Sequence, residues 1–237
     1  MILVMILTGF VMAKEYNYSD YWKNEFDSRK KYYNNLYGKF KDFYVFPENL
    51  VLDVGGGNGQ LAKFLQIKNP LILDVSDSGL RFAKEKFGFK VIKTDLTREW
   101  NLNKNFNCVL CNECLEHLDK PLETLNKINN VLNIGGIAYI SVPNMIPDGE
   151  HHKSWIYYRK LKTILNKSGF KIENKIIVPR FEKIKTPHTI KERLYSFISV
   201  LLSKNNEKIT NLFPSIFGRF YHIKARKIKE LELIQKK

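Results

Sequence analysis

The chain reads as an α/β protein: a doubly wound, mostly parallel sheet of seven strands, with helices on both faces and a helical insertion before the last strand. Three observations point there. From residue 50 to residue 178, short apolar runs alternate with stretches whose apolar residues recur at helical spacing. The first run, Leu50-Val51-Leu52, ends in Asp53 and then in four glycines within five residues, Gly55-Gly56-Gly57-Asn58-Gly59. The 237 residues are 44% hydrophobic, enough to bury the core of one sizeable domain with an additional segment.

In chain order, residues 1–13 are apolar and uncharged, with no basic residue ahead of them as a signal peptide would have. The stretch is too short to span a bilayer. It reads as an interfacial anchor or, preferably, as an extension upstream of a true start at Met12. Residues 14–237 form one domain. Its first part, 14–46, is aromatic and charged, with Trp22, Phe26, Tyr33, Leu36, Tyr37 and Phe40 near helical spacing. These helices are expected either simply to pack on the sheet or also to cover the cofactor or help hold the substrate, and Pro47 ends them. The core occupies 48–178. Behind the glycines, Leu61, Phe64 and Leu65 mark a helix ended by Asn69-Pro70. A second strand over 71–75 ends in Asp74 and Val75. Ser76 and Asp77 cap the next helix, which carries Leu80, Phe82, Ala83 and Phe87. The third strand, 91–94, is followed by Asp95-Leu96, and the fourth, 106–111, by residues 112–117. Pro121 opens a helix bearing Leu122, Leu125, Ile128 and Leu132, which Gly135-Gly136 closes. A fifth strand spans 137–142. Trp155, Tyr158, Leu161 and Leu165 mark a helix stopped at Gly169-Phe170, and 171–178 is the sixth strand. A basic helical insertion, 179–219, precedes the last strand at 220–229.

The glycines carry the first chemical signal. They permit a tight turn with positive φ and let a ligand approach the backbone. Strand, glycine turn and helix N-terminus together form a cofactor cradle. Gln60 stands where a dinucleotide fingerprint would have its next glycine, and no Gly-Lys-Ser/Thr follows, so a P-loop is excluded. Asp74 ends the second strand 21 residues after Asp53, where an acid can bond two ribose hydroxyls. Asp95 suits an adenine amino group or, equally, a strand-end turn.

Charge is uneven. The net formal charge is +15; from Glu150 onward 21 Lys/Arg face 7 Asp/Glu, +14, which leaves +1 for the first 149 residues. The basic part suits an anionic partner or is a solvated surface. Cys108, Cys111 and Cys114 are the only cysteines, which argues against a disulfide scaffold. Their C-x-x-C-x-x-C spacing lacks a fourth cysteine for an iron–sulfur cluster, and an offset of three on a strand puts Cys108 and Cys111 on opposite faces. They are expected to be buried small hydrophobes.

Residues 51–60, Asp74, Thr94-Asp95-Leu96, residues 112–117 and Asn133-Ile134-Gly135-Gly136 form an ordered set. Together they resemble the small-molecule class of Rossmann-like S-adenosylmethionine (SAM) dependent methyltransferases, over about residues 48–178. The helix ending in Gly169-Phe170 resembles that family's post-core helix. The resemblance implies SAM as cofactor. Gly55, Gly57 and Gly59, with the small Gly56 between them, would pass beneath its methionine part. Asp53 would orient the loop, partly through the ligand's ammonium. Asp74, with Val75 beside it, would hold the ribose; Asp95 and the backbone of Leu96 would hold the adenine. Asn112 would lie beside the methionine part and the methyl group.

Further candidates follow. His117 is the expected catalytic base, because imidazole titrates near neutral pH. Glu113, His151 and His152 are expected on the substrate side, the histidines in a polar loop after the fifth strand. Glu113, Glu116 and His117 are spaced as in ubiquinone-pathway O-methyltransferases, where the matching group is linked to a divalent metal. No metal is expected here, and transfer is expected to survive a chelator, since no zinc spacing exists. Ile190, Leu194, Phe197, Ile198, Leu201 and Leu202 make an apolar helical face flanked by lysines: a packed helix, a substrate lid or a membrane-surface helix over 190–202. The expectation is a cytoplasmic enzyme, peripheral to the membrane if that helix binds it, that methylates an oxygen of a small or lipid-linked, anionic acceptor. An RNA methyltransferase is the first rival, against which the Asn-Pro-Pro-Tyr type of motif is absent. A catalytically silent SAM-binding or partner-binding domain is the second.

Overall fold

A computed structural model describes residues 37–48, 50–100, 102, 105–144, 152–179 and 218–230. The expectations for residues 1–36, for His151 and for the 180–217 insertion with its amphipathic face lie outside the described residues.

The seven expected strands are present: β1 (Val51–Val54), β2 (Pro70–Asp74), β3 (Lys90–Lys93), β4 (Phe106–Asn112), β5 (Leu132–Pro143), β6 (Phe170–Pro179) and β7 (Gly218–Lys227). They form one sheet in the order β3-β2-β1-β4-β5-β7-β6. The β1–β2, β1–β4, β2–β3 and β4–β5 pairs are parallel; β7 runs antiparallel between β5 and β6. The chain winds one way from β1 to β3 and the other way from β4 onward. The switch point therefore lies between the carboxyl ends of β1 and β4, where such sheets bind ligands.

Alternation along the central strands splits the core in two. Leu52, Val54, Leu71, Leu73, Val109 and Cys111 pack on one face with Leu125, Ile128, Leu161 and Leu165. Val51, Ile72, Cys108 and Leu110 pack on the other with Tyr37, Phe43, Tyr44 and Leu80. Cys108 and Cys111 thus face opposite ways, and all three cysteines are free and buried. The described end of the N-terminal cover, a 3-10 helix at Gly38–Phe43, lies on the second face.

Among the described residues four helices connect these strands: α1 (Gln60–Phe64), α2 (Asp77–Phe87), α3 (Pro121–Val131) and α4 (Tyr158–Lys167). Three of their boundaries differ from the sequence expectation. First, α1 ends five residues before Asn69. Gln66 adopts φ 58, Ile67 N bonds Ala62 O at 3.0 Å and Gln66 N bonds Lys63 O at 3.1 Å. This is a left-handed helix cap built without the usual glycine, so nothing in the sequence marks it. Pro70 then starts β2, a position that tolerates its missing N–H. Second, Gly135-Gly136 does not close α3. Leu132 already pairs with Phe106, whereas the next pair is Cys108 with Ile137, so the glycines lie in a bulge inside β5. Gly135 has φ 79, and a Cβ on Gly136 would come within 2.8 Å of Asn133 O. Third, α4 begins at Tyr158, not Trp155, and stops as expected at Gly169, φ 75.

Lys227 fastens the C-terminal end of α3. It is 1% exposed, and its ammonium donates to Asn129 O at 2.8 Å and Leu132 O at 2.7 Å and pairs with Glu230 at 2.7 Å. Lys227→Met would leave two carbonyls without this donor. Urea denaturation is expected to show a loss of about 2–4 kcal/mol; a loss below about 1 kcal/mol would mean that water replaces the ammonium.

Candidate active site

A cleft of about 520 Å³ opens at the switch point, within the range of small-molecule sites. Asp53, Gly55, Gly56, Gly57, Asn58 and Leu61 form one wall. Asn112, Glu113, Glu116, His117, Pro143, His152 and Phe220 complete it. The structure thus gathers nine of the residues picked out from sequence: Asp53, Gly55, Gly56, Gly57, Asn112, Glu113, Glu116, His117 and His152.

The glycine loop is built for close approach. Gly55 has φ 71, and a Cβ there would lie 2.4 Å from Cys114 Sγ. A Cβ on Gly56 would lie 2.6 Å from the Asp53 carboxylate and 2.9 Å from Ile72 Cγ2. Gly57, φ 54, has nothing within 4 Å of such an atom and looks onto open space. Gly59 ends the loop. It is the left-handed N-cap of α1, a Cβ there would strike the Phe89 ring at 2.9 Å, and it is absent from the cleft wall.

Asp53 is 2% exposed, and among the described residues its Oδ2 has no hydrogen-bond partner. Burial, reinforced by the charge of Asp74, pushes its carboxyl up to about 7. An unpartnered buried carboxylate beside a glycine loop suits a cationic group such as the ammonium of SAM. Asp74 fastens the loop itself: Oδ2 accepts from Gly57 N at 2.8 Å and Oδ1 from Ser76 N at 2.8 Å. Ser76 in turn caps α2, its hydroxyl accepting from Gly79 N at 3.2 Å.

Asp74 and the remaining adenosine-side residues, Val75, Asp95 and Leu96, also lie outside the cleft wall. Val75 is 63% exposed beside Asp74, an apolar surface of the kind that covers a flat ring. Asp95 closes a turn: Oδ1 accepts from Thr97 N at 2.9 Å and Thr97 Oγ1 at 2.7 Å, and these bonds hold its carboxyl below the usual range. Leu96 is buried in the first core cluster.

On the opposite wall, Asn112 anchors a polar chain that the sequence does not reveal. Ser141 donates to Asn112 Oδ1, Asn112 Nδ2 donates to the Tyr37 hydroxyl at 2.6 Å, and that hydroxyl donates to Glu113 Oε1 at 3.0 Å. Tyr37 is fully buried. Glu113 has φ 46, a left-handed conformation uncommon for a residue with a side chain and concentrated at functional sites. Behind Tyr37, His222 on β7 bonds the Tyr44 hydroxyl at 2.8 Å, and burial lowers its imidazole to about 3, so it is neutral.

Glu116 is 2% exposed, with no partner for Oε2 among the described residues. Burial, with the nearby Glu113 carboxylate, pushes it up to about 8. Its main-chain carbonyl accepts from Lys153 N at 2.8 Å and Ser154 N at 2.9 Å, which clips the loop carrying His152 onto the 3-10 turn Leu115–His117 that follows β4. His117 is exposed at the cleft mouth, and its ring stacks on His152 with centroids 5.0 Å apart.

A family model described as "Methyltransferase domain" matches residues 30–175. This chain belongs to that methyltransferase family. Its cofactor is SAM, and the glycine cradle with the unpartnered Asp53 carboxylate fits that cation. The methyltransferase is 29% identical over 118 residues to the tRNA U34 carboxymethyltransferase of Campylobacter fetus subsp. fetus, a match that takes in 46% of this chain and 42% of that protein's length. Among solved structures, a SAM-dependent methyltransferase from Archaeoglobus fulgidus aligns with TM-score 0.59 at 22% identity, covering 89% of this chain and 100% of that one. One from Clostridium acetobutylicum aligns with TM-score 0.58 at 16% identity, covering 86% and 99%. At these identities the structures support the shared fold.

Proposed function

We propose that this methyltransferase moves the methyl group of SAM to an oxygen of a small or lipid-linked acceptor. The observation that carries this reading is the wall opposite the glycine loop, where Glu113, Glu116, His117 and His152 converge. Bound SAM supplies a methyl group already made electrophilic by its sulfonium. The chain has to hold an acceptor in line with it, exclude water and take up a proton if the acceptor is a hydroxyl. Proton-accepting side chains on that wall suit a hydroxyl acceptor better than a carbon or an amine that is already neutral. His117, exposed at the mouth, is the group we assign to receive the proton at an imidazole nitrogen. Asn112, held from both sides by Ser141 and Tyr37, positions the methionine part. The +14 balance beyond residue 150 favours an anionic acceptor, and a lipid-linked one would place the enzyme in the cytoplasm at the membrane surface. Among the described residues no helix is long and apolar enough to cross a membrane.

A second reading is methylation of RNA, supported by the likeness to the tRNA-modifying protein together with the basic region. One experiment separates the two: radiolabelled SAM and purified enzyme are incubated with fractionated extract from a strain lacking the gene. Label that enters solvent-extractable, nuclease-resistant material supports the first reading. Label released by ribonuclease would replace it with the second. His117→Ala is expected to lower kcat about 10²–10⁴-fold with little change in SAM affinity; an unchanged kcat would remove His117 from the chemistry.

A further inference from the structure

We propose that Glu116, His117 and His152 form a binding site for a first-row divalent transition-metal ion at the acceptor end of the cleft. One ligand atom of each residue lies within 4.8 Å of the others. Two imidazoles and one carboxylate are a donor set for zinc, iron, cobalt or nickel rather than for magnesium or calcium. Bonds of about 2.0–2.2 Å to such an ion require the three donors to close by roughly 1 Å, which rotation of the exposed His117 ring can supply.

Two further observations favour a cation there. Glu116 Oε2 is buried, unpartnered and on the cleft wall. Buried carboxylate oxygens in folded proteins are matched by donors or cations, and an unmatched one marks a ligand position. In addition, the third donor is held in place by the backbone. Lys153 N and Ser154 N both bond the carbonyl of Glu116, and Ser154 Oγ bonds Leu118 O at 2.8 Å. The loop bearing His152 is thereby fixed to the turn bearing the other two ligands.

The geometry departs from the acid-acid-histidine group suggested by spacing. Glu113 Oε1 accepts from the Tyr37 hydroxyl, which ties this carboxylate to the Asn112 chain. The metal site uses His152 in its place, a residue 35 positions further on that no local motif connects to Glu116-His117. Three protein ligands leave coordination positions open toward the cleft, where an acceptor oxygen would bind and be polarised. With the ion bound, the His117 lone pair is on the metal, and lowering of the acceptor's pKa by the ion, with its proton passing to water, replaces His117 as proton acceptor. The purpose of the site rests on the methyl-transfer reading; its existence does not.

The test uses the full chain without an affinity tag, stripped of metal and titrated with Co²⁺. Visible absorption reports nitrogen and oxygen coordination, and calorimetry reports SAM binding on the same samples. One cobalt per chain is expected, weakened at least tenfold by Glu116→Gln and by His152→Ala. Glu113→Gln and Asp119→Asn are expected to bind cobalt as the parent does. No cobalt binding up to about 1 mM in protein that still binds SAM would overturn the metal site and leave the methyltransferase reading intact. Cobalt binding lost in Glu113→Gln but kept in His152→Ala would also overturn it. Cobalt binding without SAM binding would uphold the site and count against the cofactor assignment.

Discussion

Asp53→Asn is expected to weaken SAM binding about 100-fold at pH 8 while changing how the ligand-free protein responds to pH. The affinity loss follows from removing the charge that faces the cofactor's ammonium: a charge-assisted contact in a buried site is worth roughly 3 kcal/mol. The pH effect follows from burial. Asp53 has its carboxyl raised from 3.8 to about 7 in the folded protein. Between those values the folded state keeps a proton that the unfolded chain has lost. The stabilisation from that proton is complete below about pH 4 and disappears as pH rises through 7. About three pH units at about 1.4 kcal/mol each give at most about 4 kcal/mol. Glu116, raised to about 8, adds a slope of the same sign. The difference between parent and Asp53→Asn isolates the Asp53 share, because Glu116 is common to both. SAM affinity of the parent should rise about tenfold per pH unit up to pH 7 and then level off, since the ionised carboxylate is the form that suits a cation. A parent and variant with parallel stability curves between pH 4 and 8, and equal SAM affinity, would show that Asp53 is matched by some other group.

Asp74→Ala is expected to lower two quantities together. If its carboxylate holds the ribose hydroxyls, SAM affinity falls about 30- to 150-fold, or about 2–3 kcal/mol. From the sequence alone, stability without ligand would be expected to change little. The structure revises that expectation. The same carboxylate accepts from Gly57 N and Ser76 N, so its loss loosens the glycine loop and the start of α2 at once. About 1–3 kcal/mol of ligand-free stability should go with it. Each carboxylate oxygen has a second lone pair, so these bonds leave room for the ribose. A fall in stability with SAM affinity unchanged in the folded fraction would make Asp74 a clamp for the loop and nothing more.

The fold was legible because its signals are local. Apolar runs of four to seven residues, the glycines after Asp53, Pro121 at the start of α3 and Gly169 at the end of α4 each act within a few residues of themselves. The offset of three between Cys108 and Cys111 placed them on opposite faces by strand geometry alone. What was not legible depends on residues far apart in sequence. Tyr37 and Asn112 are 75 positions apart, and Tyr44 and His222 are 178 apart. Asn112 reads as a cofactor residue, but Tyr37 reads only as one more apolar position on a helix. The close packing of Gly59 against Phe89 is likewise visible only in three dimensions. The left-handed cap of α1 at Gln66 and the bulge at Gly135-Gly136 were missed for opposite reasons. One uses a left-handed residue that is not glycine; the other uses glycines for a purpose other than a helix stop.

The central claim is that the cleft between the glycine loop and the end of β4 holds SAM. Calorimetry of the purified full chain against SAM, S-adenosylhomocysteine and NAD tests it most directly. One molecule of SAM or S-adenosylhomocysteine is expected to bind per chain and NAD is not, because Gln60 replaces the last glycine of the dinucleotide fingerprint. Binding of NAD with no binding of SAM would contradict the assignment of the site and of the function built on it.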